Sequence, residues 1–380
     1  MTEPRPRFEV AQILREHGEA FLSRYPVTPV QRKAIRAMVA CRTAALGGHL
    51  DRCTHCDYTQ PSYNSCRHRA CPKCQGQRQR EWIAKQAERA LPVPYFHVVF
   101  TLPAALRPLA AANPKVVYAL LLNTAARTVV ELGKDPRLLG AEVGVTAVLH
   151  TWTTSLHLHP HVHLIVTAGG LAQDATRWVP SRWGACYLLP VKALGRRFRA
   201  RFLRRLERAE RDGKLQSTDV PLANLKPALY AKDWVVYAKR PFAGVRQLYR
   251  YLGRYTHRVG LTNHRLLAVT PESIALRTRN GTARFAPLEF LRRFLQHVPP
   301  KGFVRVRHFG IFASSNLRTK LARARELLSV EDEESKPSDR EEPAETPDAM
   351  TDCPRCLFGQ LRREELLLPT LAREEALWDP

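Results

Sequence analysis

Acidic residues are scarce in this chain: 35 Asp and Glu stand against 60 Lys and Arg, for a formal net charge of +25 and a pI near 10.2. A soluble chain this basic usually meets a polyanion, nucleic acid before anionic membrane, although charge alone also fits an ordinary basic enzyme. Long apolar runs are missing too. None reaches the ~20 residues of a spanning helix, and the best candidate, Val116 to Val130, is broken by Asn123, Thr124 and Arg127. That stretch reads as a partly buried helix, and no membrane partner is expected. The opening Met1-Thr2-Glu3-Pro4-Arg5-Pro6-Arg7 has no apolar core behind it, so no secretory leader is expected and the cytoplasm is the expected compartment. Cysteine does not come in an even, secreted-style set: nine of them point to thiols and metal sites rather than disulfides. Internal repeats are also lacking. What remains is a 380-residue chain, 44% hydrophobic and 8% aromatic, which is no disordered polyelectrolyte and is long enough for two or three domains.

Composition divides the chain. Five of the nine cysteines fall between Cys53 and Cys74, with Cys41 just before them. We expect an N-terminal helical arm over 1–35, a zinc-binding module over 36–90 and the main domain over 91–328. Glu331 to Asp348 carries nine acids against Lys336 and Arg340, with three prolines; a disordered acidic linker over 329–350 and a short tail over 351–380 follow. In the tail, Gln360 to Leu368 reads as an amphipathic helix. Within the main domain, Tyr95 to Thr101 reads as a strand, Lys115 to Leu132 as a helix, Val143 to Trp152 and His161 to Thr167 as strands. Lys192 to Arg211 reads as a basic helix and Trp234 to Ala238 as a strand. The order β-α-β-β-α-β is the split βαβ, ferredoxin-like arrangement: an α+β fold with an antiparallel four-stranded sheet and helices on one face. A further helix, Val245 to Arg258, and a hairpin turning at Asn280-Gly281 come after it.

Three constellations carry chemistry. Cys53-x2-Cys56 followed by Cys71-x2-Cys74 has the paired spacing of a structural zinc ribbon, each turn offering two thiolates to one tetrahedral ion. Cys66, Cys41, His49, His55 and His68 are left over, as part of a second site or as bystanders, Cys66 and His68 being possible further ligands. Cys353 and Cys356 in the tail cannot close a tetrahedral site alone. The second constellation is His157-Leu158-His159-Pro160-His161-Val162-His163. Because proline is excluded from the interior of a central strand, His157 and His159 should precede the strand. His161 and His163 then lead it on one face, placed to share a divalent metal, with Val162, Leu164 and Val166 packed behind. Neutral imidazoles suit several metals. In the third, Tyr251 and Tyr255 stand at i,i+4 on the helix, beside a ridge of Arg246, Arg250, Arg254 and Arg258. Tyrosines on helices are usually half-buried packing residues. Two phenols flanked by arginines and accompanied by a metal site instead suit attack on a phosphate, with the bond energy kept in a phosphotyrosine.

The residues then become familiar. Ala45-Leu46-Gly47-Gly48-His49, Tyr63-Asn64-Ser65-Cys66-Arg67, Cys71-Pro72-Lys73-Cys74 and Pro94 to Pro103 form a series. His159 to His163, Tyr251 to Arg258, Asn263-His264-Arg265-Leu266 and Pro300 to Arg305 continue it. Over residues 30–325 the chain resembles the rolling-circle transposases of the insertion-sequence-91 family, HUH (His-hydrophobe-His) nucleases of the two-tyrosine type with an N-terminal zinc-binding domain. The resemblance implies Mg²⁺ or Mn²⁺ on His161 and His163, and Tyr251 and Tyr255 as paired nucleophiles. These would nick single-stranded DNA at transposon ends, leave a 5′-phosphotyrosine and a free 3′-OH, and transfer the strand to target DNA. It further implies that the zinc module helps recognise the ends, that Zn²⁺ is structural, and that the protein works on the bacterial nucleoid. A third metal ligand is usual in the fold, from His159, His257 or a residue elsewhere. The rival readings are a plasmid replication initiator or relaxase of the same superfamily, and a non-catalytic zinc DNA-binding regulator.

Overall fold

The computed structural model describes residues 6–181, 189–218, 220–239, 260–329 and 352–370. The chain opens with two helices, α1 (Val10–Arg24) and α2 (Pro29–Val39). The second starts on a capping box, Thr28 accepting from the Gln31 backbone while the Gln31 side chain returns to the Thr28 N–H, with Pro29 at the first position. Strands β1 (Gly48–Cys53) and β2 (Thr59–Tyr63) and helix α3 (Gly76–Arg89) complete the cysteine-rich part.

The main sheet follows. Strand β3 (Tyr95–Thr101) leads through α4 (Arg107–Ala112) to α5 (Pro114–Gly133). After the short β4 (Ala141–Glu142) come β5 (Gly144–Trp152) and β6 (Leu158–Thr167), then the short β7 (Gly169–Ala172) and β8 (Trp178–Pro180). Helix α6 (Val191–Arg211), α7 (Leu222–Ala231) and β9 (Val236–Lys239) close the unit. Beyond it lie β10 (Leu266–Val269), β11 (Ile274–Thr278), β12 (Gly281–Phe285), α8 (Pro287–Leu295), β13 (Val306–Gly310), α9 (Ala322–Ser329) and, in the tail, β14 (Leu361–Leu367).

Strands β5-β6-β3-β9 lie in that order, every pair antiparallel, which is the ferredoxin-like arrangement the sequence predicts. The sheet has a fifth strand that sequence reading missed: β13 pairs with the outer edge of β5. Val98, Phe100, Val162, Leu164 and Val166 point to one face and are buried against α5 and α6. Helix α6 explains why the stripe is one-sided. Leu194, Phe198, Phe202 and Leu206 recur every four residues and are buried, while arginines fill the opposite side. Helix α5 is long and apolar enough to cross a membrane by composition, but more than half of its apolar window is buried in this core.

A second core joins the first two helices to α8 and the hairpin sheet. Val10, Ile13 and Phe21 of α1 and Ile35 and Met38 of α2 pack with Phe290 and Phe294 of α8, and with Leu266 and Leu276 of the hairpin sheet. The expected arm and the end of the expected main domain therefore share one hydrophobic interior. The hairpin itself turns at Arg279-Asn280, one residue earlier than expected, with Thr278 opposite Gly281 and Gly281 at φ 111°.

Two expectations are corrected. The stretch expected as a tail helix is strand β14, antiparallel to β1 and on the opposite side of it from β2. Its side chains are mostly exposed, so no buried apolar stripe holds it as a helix. The backbone bonds to β1 decide the conformation instead. Close approach needs glycine: a Cβ on Gly47 would stand 2.5 Å from the Leu367 carbonyl oxygen, and one on Gly48 2.4 Å from that of Ser62. The second correction concerns Pro160, which lies inside β6 rather than before it, together with His159. It falls where the β5–β6 register is broken by an irregularity between His150 and Trp152, a site where the missing N–H leaves no ladder bond unmade. His157 does precede the strand.

Candidate metal centres and the histidine face

The period of two along β6 sends Val162 and Leu164 into the core and His161 and His163 to the opposite face. The neighbouring strand supplies a third imidazole. His150 on β5 is directly opposite His161, and the ligand atoms of His150, His161 and His163 all lie within 4.8 Å of one another. His161 Nδ1 is 2.7 Å from the His159 carbonyl oxygen. A carbonyl only accepts, so Nδ1 carries the proton and Nε2 keeps its lone pair. His163 Nδ1 shares a proton with His97 Nε2 at 2.7 Å, the rings stacked with centroids 4.9 Å apart. Behind the group, the His150 ring stacks on Trp152.

Electrostatics keep these rings neutral. Burial, offset only in part by the His159 carbonyl, brings His161 down to about 4. Burial and then the neighbouring His161 hold His150 well below its usual range; burial and then His150 do the same for His163. Three neutral imidazoles facing one point make a donor set for a divalent cation, with no proton to displace at neutral pH. Arg305 lies close enough to depress His150, and desolvation lowers its own guanidinium to about 10. A partly buried cation beside a face able to hold a metal is suited to an anionic oxygen.

The other expected residues fall as follows. His159 lies outside the three-histidine group, with its Nδ1 3.3 Å from Arg107; His157 faces Ser155 and Arg293. Tyr251, Tyr255, His257, Arg246, Arg250, Arg254 and Arg258 lie outside the described residues. Sequence reading did not select His150 or His97. Both sit on predicted strands adjacent to the His-x-His strand, but only the register brings them to it.

The described cysteines form two groups, and the expected pairing of the two Cys-x2-Cys turns is corrected. Cys53 and Cys56 do not join Cys71 and Cys74. Cys71 and Cys74 gather with Cys41 and Cys66, while Cys53 and Cys56 gather with Cys353 and Cys356 of the tail, the sulfurs of each group lying within 4.8 Å of one another. Every described cysteine belongs to one group or the other. His68 enters neither; its Nδ1 instead accepts from the Ala70 backbone at 3.2 Å. Backbone N–H groups point at the sulfurs: His55 and Cys56 donate to Cys53 Sγ at 3.3 and 3.4 Å, and Gly359 donates to Cys356 Sγ at 3.4 Å. The Gly359 bond leads the effects that lower Cys356 to about 6. In the other group, hydrogen bonds from Cys41, Cys66 and Cys71 push Cys74 far down. Four sulfurs with donors aimed at them fit tetrahedral zinc. The tail is fitted to its site closely, for a Cβ on Gly359 would stand 2.4 Å from Cys53 Sγ.

Two family profiles match the chain: one described as “putative transposase” over residues 144–320, and one described as “transposase zinc-binding domain” over residues 13–102. Neither range reaches the tail cysteines. The chain is 40% identical over 377 residues to “putative transposase y4qJ” of Sinorhizobium fredii, covering 93% of this chain and 94% of that protein. It is 29% identical over 327 residues to the transposase for insertion sequence element IS801 of Pseudomonas savastanoi pv. phaseolicola, covering 79% and 75%. No solved structure matches.

Proposed function

Because the chain belongs to the IS91 family of transposases, with a zinc-binding domain at its N-terminus, we propose that it cuts and rejoins single-stranded DNA at element ends through a covalent tyrosine intermediate. The observation that carries this reading is the meeting of His150, His161 and His163 on one sheet face. Binding of DNA alone needs no such group.

A divalent ion held there supplies Lewis-acid polarisation of the scissile phosphate. The all-nitrogen donor set favours Mn²⁺ over the oxygen-seeking Mg²⁺. The chain's own residues do the rest. The His159 carbonyl fixes the His161 tautomer so that its Nε2 lone pair is free for the ion, and His97 holds the His163 ring in place. Arg305 offers a positive charge beside His150. The Tyr251 or Tyr255 phenolate oxygen attacks phosphorus, the P–O3′ bond breaks, and the leaving 3′ oxygen takes up a proton to become a free 3′-OH. The 5′-phosphotyrosine keeps the bond energy for joining to target DNA, and the second tyrosine serves a second transfer. Such a protein works in the cytoplasm, on the nucleoid.

The test is adduct formation. Purified protein with Mn²⁺ and a single-stranded oligonucleotide carrying a candidate element end is expected to give a denaturation-resistant protein–DNA band. The Tyr251→Phe/Tyr255→Phe double variant is expected to give none. A band that survives both substitutions would rule out the tyrosine mechanism.

A further inference from the structure

Away from the histidine face, a cleft of about 970 Å³ opens between the β1–β2 sheet and the turn that leads into β10. It is at the upper end of ligand-sized cavities, and its lining is mostly polar. Four of the familiar stretches that the histidine site leaves unused meet in it: His49, the Tyr63 to Arg67 run, Pro72-Lys73, and Asn263-His264. The wall is built from the first cysteine group. Arg42 follows Cys41, Arg67 follows Cys66 and Lys73 precedes Cys74, so the four sulfurs fix the backbone from which three cations line the cleft.

Two of those cations hold an unusual backbone. Arg42 has φ 58° and Arg67 φ 50°, the left-handed region that arginine avoids. Such conformations persist where the surroundings over-determine them, and they gather at binding sites. Here the surroundings are visible: the Arg42 N–H donates to the Asn64 carbonyl at 3.0 Å. Glu9 is the lone carboxylate among the lining residues, and it is already paired with Lys73 at 2.9 Å. The two arginines thus give the cleft an excess of positive charge. Flat rings complete it, namely His49, held 3.3 Å from Asp51, and Tyr63 on the sheet side, with His264 opposite. The far wall is locked to α1, where Asn263 Oδ1 accepts from the Val10 N–H at 3.2 Å.

We propose that this cleft holds a short unpaired stretch of the DNA end, its phosphates on Arg42 and Arg67 and its bases against Tyr63, His49 and His264. Guanidinium groups that track a backbone beside stacking rings are what single-stranded recognition uses, whereas a duplex would keep its bases out of reach of the rings. The inference rests on the reading that the substrate is single-stranded DNA, and it assigns recognition to a place separate from cutting. In this arrangement the zinc held by Cys41, Cys66, Cys71 and Cys74 shapes a binding surface as well as a fold.

Fluorescence polarisation of a labelled single-stranded oligonucleotide carrying a candidate end tests it, with zinc retained and no Mg²⁺ or Mn²⁺ added so that nothing is cut. Asparagine tolerates a left-handed backbone, so Arg42→Asn/Arg67→Asn removes the charges without forcing the loop. The expected result is weaker binding and a log–log salt slope flatter by about 0.7 per arginine. Tyr63→Ala is expected to weaken binding about tenfold with the slope unchanged. Wild-type affinity and slope in the arginine variant would overturn the proposal. If that variant loses zinc, Tyr63→Ala decides, and its wild-type affinity would overturn it. Equal losses on the duplex of the same sequence would overturn the single-strand assignment, and competition by free deoxyadenosine monophosphate as strong as by the oligonucleotide would replace the strand with a free nucleotide. Wild-type protein that binds through these residues yet forms no adduct would sink the cutting mechanism and leave the cleft standing.

Discussion

Cys53 and Cys356 are separated by 303 positions in the chain, and their sulfurs are 3.7 Å apart. The tail is therefore part of the zinc module: it completes a four-cysteine group and adds β14 to the edge of β1.

Two zinc ions per chain are expected. Metal analysis of the purified protein should give a ratio near two, and Cys353→Ser/Cys356→Ser should lower it to one. The same variant is expected to expose residues 352–370 to limited proteolysis, because β14 loses its anchor. A ratio that stays at two would mean that the tail cysteines hold no zinc.

Gly359→Ala should act on the second group alone. The new methyl would meet Cys53 Sγ and the His55 Cβ, at 2.4 and 2.7 Å, so the tail must shift. Overpacking of this kind costs about 1–3 kcal/mol. The check is chelator competition: one of the two zinc ions is expected to leave at lower chelator concentration than in wild type, the other at the same concentration.

His150→Ala should reduce Mn²⁺-dependent cutting about a hundredfold or more, with oligonucleotide affinity close to wild type. His159→Ala is expected to be much milder, since His159 lies outside the group of three. The reverse ranking in a single-turnover adduct assay would identify His159 as the ligand in place of His150.

Acid should destabilise the fold through its buried histidines. His297 is satisfied as a neutral ring, with Nε2–H donating to the Leu156 carbonyl and Nδ1 accepting from the Thr151 hydroxyl, both at 3.1 Å. Burial lowers it to about 4, and burial followed by Arg89 does the same to His308. The unfolded chain binds these protons near pH 6.5 and the folded chain only near 4. Stability is therefore fully present above 6.5 and falls as pH drops from 6.5 to 4, by up to about 3 kcal/mol for His297. Urea midpoints between pH 7 and 4.5 should show the decline, and His297→Gln should flatten it; an unchanged slope in the variant would assign the acid sensitivity elsewhere.

Much of the main sheet was legible because its signals are local. Tyr95 to Thr101 and Val143 to Trp152 read as strands from their apolar, β-branched content, and Leu194, Phe198, Phe202 and Leu206 mark the buried side of α6 by spacing alone. His161 and His163 were legible for the same reason, since alternation in a strand fixes their shared face. Strand β13, five residues long at a sheet edge, has too little pattern to stand out. Gln360 to Leu368 misled because its leucines and charges suit a helix, and nothing local reveals that β1 offers it a free edge.

The sequence by itself determined the ferredoxin-like order, the histidine face, the abundance of metal-binding thiols and the excess of positive charge, all of which follow from short-range periodicity and composition. Only the tertiary structure decided which groups share a site. It set His150 beside His161 through strand register, placed His97 against His163, and divided Cys53 and Cys56 from Cys71 and Cys74. The physical reason is that a metal site or a cleft is a condition on distance in space. Cys-x2-Cys guarantees a pair of ligands, but the partner pair is chosen by whichever backbone edge and close-packed glycine let the chain return, here from 297 residues away at Cys56 and Cys353.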